Sequence, residues 1–201
     1  MTRRPPAALR DATDQDIRRH LIATAERLIA RRGTAGLTVR QIAQEAKVAS
    51  GVLYNYFADK EELLALALHA HIRSAAAALP EPAAGGTLES ALTAYVTRSL
   101  AFHAAIMPAF AGLFAQPGVL TRFAALPQPR SLREELAEFL RAEQRAGRVA
   151  AGANPDAAAT MIIGACHELV LPRLYGGATE IEVPPGFVAD LVATILTGIG
   201  S

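Results

Sequence analysis

A chain of 201 residues, 51% of them hydrophobic, can bury one substantial core, or the cores of one small and one larger domain. The single cysteine, Cys166, excludes an intrachain disulfide framework and fits a reducing cytosol, which gives a cytoplasmic expectation. The net charge of +1 hides an asymmetry: residues 1–73 hold 12 Lys and Arg against 8 Asp and Glu, or +4, and the remainder 8 against 11, or −3. A basic first part and an acidic second part is the sign pattern expected when the first meets phosphate and the second does not.

Ala is abundant and strand-like runs of Val, Ile, Thr and aromatics are few, so the expected class is all-α. The opening MTRRPPAALRDATDQD has basic residues with no apolar stretch behind them; it reads as a flexible arm over residues 1–13, not as a signal peptide. A first helix is expected from Asp14 to Arg32, with Thr13 and Asp16 as a capping box, a stripe of Ile17, Leu21, Ala25, Leu28 and Ile29, and Gly33 as its stop. Thr38 and Gln41 form a second capping box, and Val39, Ile42 and Ala46 give the next helix its apolar face over roughly two turns. After a tight turn comes another short helix. Its apolar residues Val48, Leu53 and Phe57 must pack back on its predecessor, which turns Ser50, Gly51, Val52, Asn55 and Tyr56 outward. Asp59 then caps a long helix running through Leu63, Leu64 and Ile72 toward Leu79, and Pro80, Pro82, Gly85 and Gly86 mark a surface loop.

Beyond the loop the expected elements are a helix from Leu88 to Phe102, a broken helix to Phe114 and a short one from Val119 to Leu126. No Asp, Glu, Lys or Arg lies between Arg98 and Arg122, a length that would suit a membrane helix. His103, Pro108, Gly112, Gln116, Pro117 and Gly118 interrupt it, so a buried, broken helix is expected and no membrane partner. Ser131 to Arg145 is strongly amphipathic, with Leu132, Leu136, Phe139 and Leu140 inward, Glu134, Glu135, Glu138 and Arg141 outward, and Gly147 closing it. Asn154-Pro155 starts the next helix, and Pro184-Pro185 is expected to start the last one in the same way.

Chemistry-bearing residues are sparse. His103 and His167 have no second ligand at metal spacing, and His69 and His71 diverge on their helix, so no metal and no cofactor is expected. Glu168 beside His167 has no nucleophile or oxyanion donor with it, which leaves an all-helical enzyme as a remote alternative and a non-enzyme as the expectation.

From Arg18 to Leu64 the chain resembles the DNA-binding domain of the TetR family of ligand-responsive transcriptional regulators. The agreement runs in register through Leu21, Ala25, Leu28, Ile29, Gly33, Thr38, Ile42, Ala43, Val48, Gly51, Leu53, Tyr54, Tyr56, Phe57, Lys60 and Leu63. The resemblance implies a three-helix helix-turn-helix domain at residues 14–58 and a larger helical domain, 59–201, for effector binding and dimerisation. It implies a homodimer on a two-fold DNA operator, most simply a repressor released by a small-molecule effector; an activator or a non-transcriptional DNA-binding factor is the alternative. Thr38, Tyr54, Tyr56 and Lys60 match positions that contact the DNA backbone, while Ser50, Gly51, Val52 and Asn55 are candidates for base edges, and Arg40 and Lys47 for further phosphate contacts.

Two residues depart from the family's pattern: Lys47 stands where Gly is usual in the turn, and Ala49 where Ser or Thr usually caps the recognition helix. A Lys at positive φ is uncommon and a missing cap costs about 0.5–2 kcal/mol, so the pose of that helix is expected to differ from that of relatives. The last two helices carry apolar stripes that the resemblance assigns to a dimer interface: Met161, Ala165 and Leu169, then Val188, Leu191, Val192, Ile195 and Leu196, continuing to Ile199. Tyr95, Phe102, Met107, Phe110, Phe114 and Phe123 are by default core. In the family this region surrounds an apolar effector pocket, for which His103 or His167 would be the polar handle.

Overall fold

The computed structural model describes residues 13–80, 86–110, 112–172 and 182–198. The expected N-terminal arm up to residue 12, Pro82 and Gly85 of the expected loop, and Ile199 lie outside the described residues. Every regular element described is helical: α1 (Asp14–Arg32), α2 (Val39–Glu45), a 3₁₀ helix (Ser50–Asn55), α3 (Lys60–Ala77), α4 (Leu88–Phe110), a 3₁₀ turn (Leu113–Ala115), α5 (Pro117–Ala124), α6 (Leu132–Arg145), α7 (Pro155–Val170) and α8 (Phe187–Thr197). The chain divides into two compact units, one of residues up to Ala76 with Pro108–Gln128, the other of Ala77–Met107 with the residues from Pro129 onward.

Local chemistry explains most boundaries. Thr13 and Asp16 cap each other's backbone at the start of α1, which ends at Gly33, whose φ of 71° is open to glycine and strained for other residues. Thr38 and Gln41 repeat the device at α2, and Ser131 and Glu134 at α6. Asn154 accepts from the amides of Asp156 and Ala157, and Pro155 fills the first position of α7. In the first unit Leu21, Ala25 and Ile29 of α1 are fully buried together with Ile42 of α2 and Leu63, Leu64 and Leu68 of α3. Each such Leu or Ile contributes about 1.5–3 kcal/mol relative to exposure.

The core of the second unit joins Leu92, Val96 and Leu100 of α4 to Leu136 and Leu140 of α6, Ala159, Ile162 and Cys166 of α7, and Val192 of α8. Three expectations are corrected here. First, α4 is not broken near Phe102; it is continuous to Phe110. Pro108 falls in its final turn, where the missing N–H removes one bond near the end and leaves the middle of the helix intact. By length and composition alone this helix could cross a membrane, but its Leu92, Val96 and Leu100 are buried in the core. Second, α8 begins at Phe187 and not at the prolines, because Gly186 at φ 82° interrupts helical geometry after Pro185. Third, Glu135, expected outward, is drawn in by the buried Arg98, whose Nη1 lies 2.8 Å from its carboxylate.

Candidate nucleic-acid interface

The segment from Thr38 to Lys60 is built around one awkward turn. Helix α2 ends with the amide of Val48 donating to the Ala43 carbonyl at 2.9 Å, with Lys47 between them at φ 60°. This is the closure usually made with glycine in the left-handed position, here occupied by a lysine. His20 of α1 sits 3.3 Å from the Ala46 carbonyl and helps satisfy the end of the helix. Ala49 precedes the recognition segment with no side-chain cap, and the short helix expected there is a 3₁₀ helix. With no cap to satisfy its first amides and only six residues, the tighter winding closes what bonds it can, beginning with Val52 N to Ala49 O at 3.0 Å.

Leu53 and Phe57 are buried and anchor the segment; Ser50, Gly51, Tyr54 and Asn55 are exposed on its other side. Tyr54 is 62% exposed, a large aromatic ring with no core role. A Cβ added at Gly51 would meet nothing within 4 Å, so the absence of a side chain there serves no packing need of the chain itself. Val52 and Tyr56, expected to face outward, are half-buried. The Tyr56 hydroxyl donates to Asp14 at 3.0 Å, and burial together with that carboxylate raises its pKa. Arg40 and Lys47 are exposed, and Lys60 lies half-buried, 3.9 Å from Glu61. Thr38 spends its hydroxyl on Gln41 at 2.9 Å while remaining exposed.

Residues 21–67 match the family model described as bacterial regulatory proteins, tetR family. The chain is 46% identical over 52 residues to the HTH-type transcriptional regulator HbdR of Aromatoleum sp. (strain CIB), covering 25% of this chain and 23% of that one. It is 37% identical over 59 residues to the HTH-type transcriptional repressor NemR of Escherichia coli (strain K12), covering 29% and 30%. The chain thus spans about a quarter of the length of the curated relatives it matches. Over its greater length the fold is similar to the transcriptional regulator FadR from Bacillus subtilis, solved in complex with stearoyl-CoA: TM-score 0.60 at 19% identity, covering 90% of this chain and 99% of that one. Over residues 21–67 the chain carries the N-terminal segment of the TetR family.

Beyond the matched segment, the residues expected around an effector fall into three groups. Tyr95 packs on Phe139 of α6, ring centroids 5.2 Å apart. Phe102 meets the ring of His103 edge-on at 5.5 Å, and His103 meets His167, while Met107 is half-buried one turn further along α4. Phe110 and Phe123 lie edge to face at 6.1 Å in the first unit, and Phe114, expected among the packed aromatics, is 87% exposed there.

The His103–His167 contact joins residues 64 positions apart that sequence spacing left unrelated. His103 Nδ1–H donates to the Ser99 carbonyl at 2.7 Å, which leaves its Nε2 to accept from His167 Nε2–H at 2.7 Å. Burial, with the second imidazole adding to it, pushes His103 down to about 4, and burial lowers His167. Cys166 beside it is fully buried and its thiol is pushed up by the loss of solvent. Of the residues expected at a dimer interface, Val192 is buried in its own unit, and Leu169, Val188, Leu191 and Ile195 pack partly against that core. Ala165 is half-buried, while Met161 and Leu196 are exposed.

Proposed function

We propose that this protein is a DNA-binding transcriptional regulator that acts in the cytoplasm as a homodimer on a two-fold operator, and that it represses until a small apolar effector releases it. The observation that carries the reading is the match over residues 21–67 on a segment whose exposed side presents Ser50, Gly51, Tyr54 and Asn55 and gives no packing reason for Gly51. Residues 14–58 are the proposed reading head and 59–201 the effector and dimer part. Thr38, Tyr54, Tyr56 and Lys60 would hold phosphates, with Arg40 and Lys47 adding charge; Ser50, Gly51, Val52 and Asn55 would meet base edges. The name repressor borne by NemR and the acyl-CoA bound to FadR support the repressor and apolar-effector parts of the proposal.

For the effector we favour the neighbourhood of Phe102, Met107 and the neutral His103–His167 pair, where one imidazole offers a polar contact in apolar surroundings. The dimer face we favour is the exposed Met161 and Leu196 with the half-buried Ala165, and Gly164 allows close approach. Two reading heads must lie about 34–36 Å apart to enter successive major grooves, so a modest effector-driven change of spacing suffices for release. Selection of binding sites from random duplex DNA tests the proposal. Enrichment of a two-fold motif with half-sites one helical turn apart supports it; no enriched sequence refutes it.

A further inference from the structure

The reading segment is weakly defined by its own local chemistry. It has a lysine in the left-handed position, no side-chain cap at Ala49 and only a 3₁₀ helix to present its residues. Leu53 and Phe57 anchor it from one side, so the rest of its pose depends on how the surrounding corners are held, and the first unit contains a second stretch of chain, residues 108–128, from more than 30 positions beyond α3. Two groups of contacts connect that stretch to the helix-turn-helix, one at each end.

At the entrance, Gly112 adopts φ 77° and a Cβ placed on it would come within 2.6 Å of the Ala35 Cβ. Both the backbone angle and the close approach require glycine. Gln116 stands at the start of α5, where its side chain makes no cap; its amide instead donates to the Thr34 carbonyl at 3.1 Å and to Gly112 at 3.3 Å. Thr34 is fully buried and lies in the corner that leads from α1 into α2. At the exit, Asp59 caps α3 through Oδ1, accepting from the Glu62 amide at 2.8 Å, and its Oδ2 pairs with Arg122. A Cβ at Gly118 would lie 3.1 Å from the Glu61 side chain.

We infer that Gly112, Gln116 and Arg122 form a bracket that holds the helix-turn-helix at its entrance and exit and so sets the pose in which Ser50, Gly51 and Asn55 meet DNA. They are positioning residues and touch no base. The inference rests on the DNA-reading proposal, and it extends the reading machinery beyond the matched residues 21–67 to a segment with no helix-turn-helix signature. The bracket follows directly from α4 along the chain, so its place in the sequence puts it immediately after the helix that carries His103.

The test uses full-length protein with Gln116→Leu, which removes both amide bonds without changing charge, and Arg122→Gln, with Arg122→Lys as the conservative rescue. Affinity for the selected site and for random duplex of equal length is measured beside the melting temperature. The expected result is a loss of about tenfold on the selected site with less than about threefold on random DNA, an unshifted melting temperature, and recovery in Arg122→Lys. Equal loss on both DNAs together with lower melting would make these residues ordinary packing, and unchanged selectivity would remove the bracket; either overturns the inference. Should Gln116→Leu fail to fold, Arg122→Gln carries the test, because that ion pair is 43% and 36% exposed and its removal costs little stability. If wild-type protein selects no DNA sequence, the DNA-reading proposal fails separately. The bracket is then judged by amide exchange: faster exchange confined to residues 34–57 in the variants supports it, and unchanged exchange refutes it.

Discussion

Replacing Lys47 with glycine should move stability and DNA affinity in opposite directions. Its φ of 60° places a side-chain-bearing residue in the left-handed region, at a cost of about 1–2 kcal/mol relative to a residue without Cβ. Glycine relieves that cost but loses about 0.5–1 kcal/mol more in backbone freedom on folding. The net gain for Lys47→Gly is about 0.5–1 kcal/mol, which for a chain of this length raises the melting temperature by about 1–4 °C. Lys47→Ala keeps the strained angle and should leave the melting temperature unchanged. Both variants remove an exposed ammonium beside the recognition segment. If that ammonium neutralises a phosphate, the slope of log affinity against log salt becomes shallower by about 0.9 per head in both. Calorimetry and a salt series on the selected duplex give the two readouts. Equal melting of the Gly and Ala variants would refute the strain argument, and an unchanged salt slope in both would show Lys47 to be merely solvated.

Gly51→Ala should leave melting within about 0.5 kcal/mol of wild type, since its Cβ enters open space, yet weaken selected-site binding; a gel shift showing undiminished affinity would place Gly51 off the DNA. His103 is held neutral down to about pH 4 in the folded chain, whereas an unfolded histidine takes up its proton near 6.5. The unfolded state therefore binds more protons in this window, and the stability that neutral His103 provides is complete above pH 6.5 and lost as pH falls toward 4, by roughly 3 kcal/mol at most. Urea unfolding across that range should show the loss and His103→Gln should flatten it; parallel profiles would contradict the assignment. Met161→Asp and Leu196→Asp should give folded monomers by sedimentation, whereas Val192→Asp should unfold the second unit because it buries an unpaired carboxylate in the core. Dimers that persist in the first two would move the interface elsewhere.

The features legible in the amino-acid order are those decided over three or four residues. The capping pairs Thr13–Asp16 and Thr38–Gln41, the cap at Asn154 and the stop at Gly33 all appear where the order of residues puts them, because a helix end is satisfied by its immediate neighbours. Family resemblance added the helix-turn-helix and marked Lys47 and Ala49 as departures, and those are the positions at which the structure has a positive φ and an uncapped 3₁₀ helix start. What only the tertiary structure decided lies across long separations. His167 reaches His103 over 64 positions and Gln116 reaches Thr34 over 82, and neither pair has any local periodicity to announce it. Glu135 is half-buried against the pattern of its own helix because Arg98, buried on another helix, needs its charge balanced. The stripe on α8 is visible in sequence, but whether Val192 meets its own core or a second copy depends on which surface reaches it first. Burial rewards apolar contact without regard to its source, so that choice was made by packing.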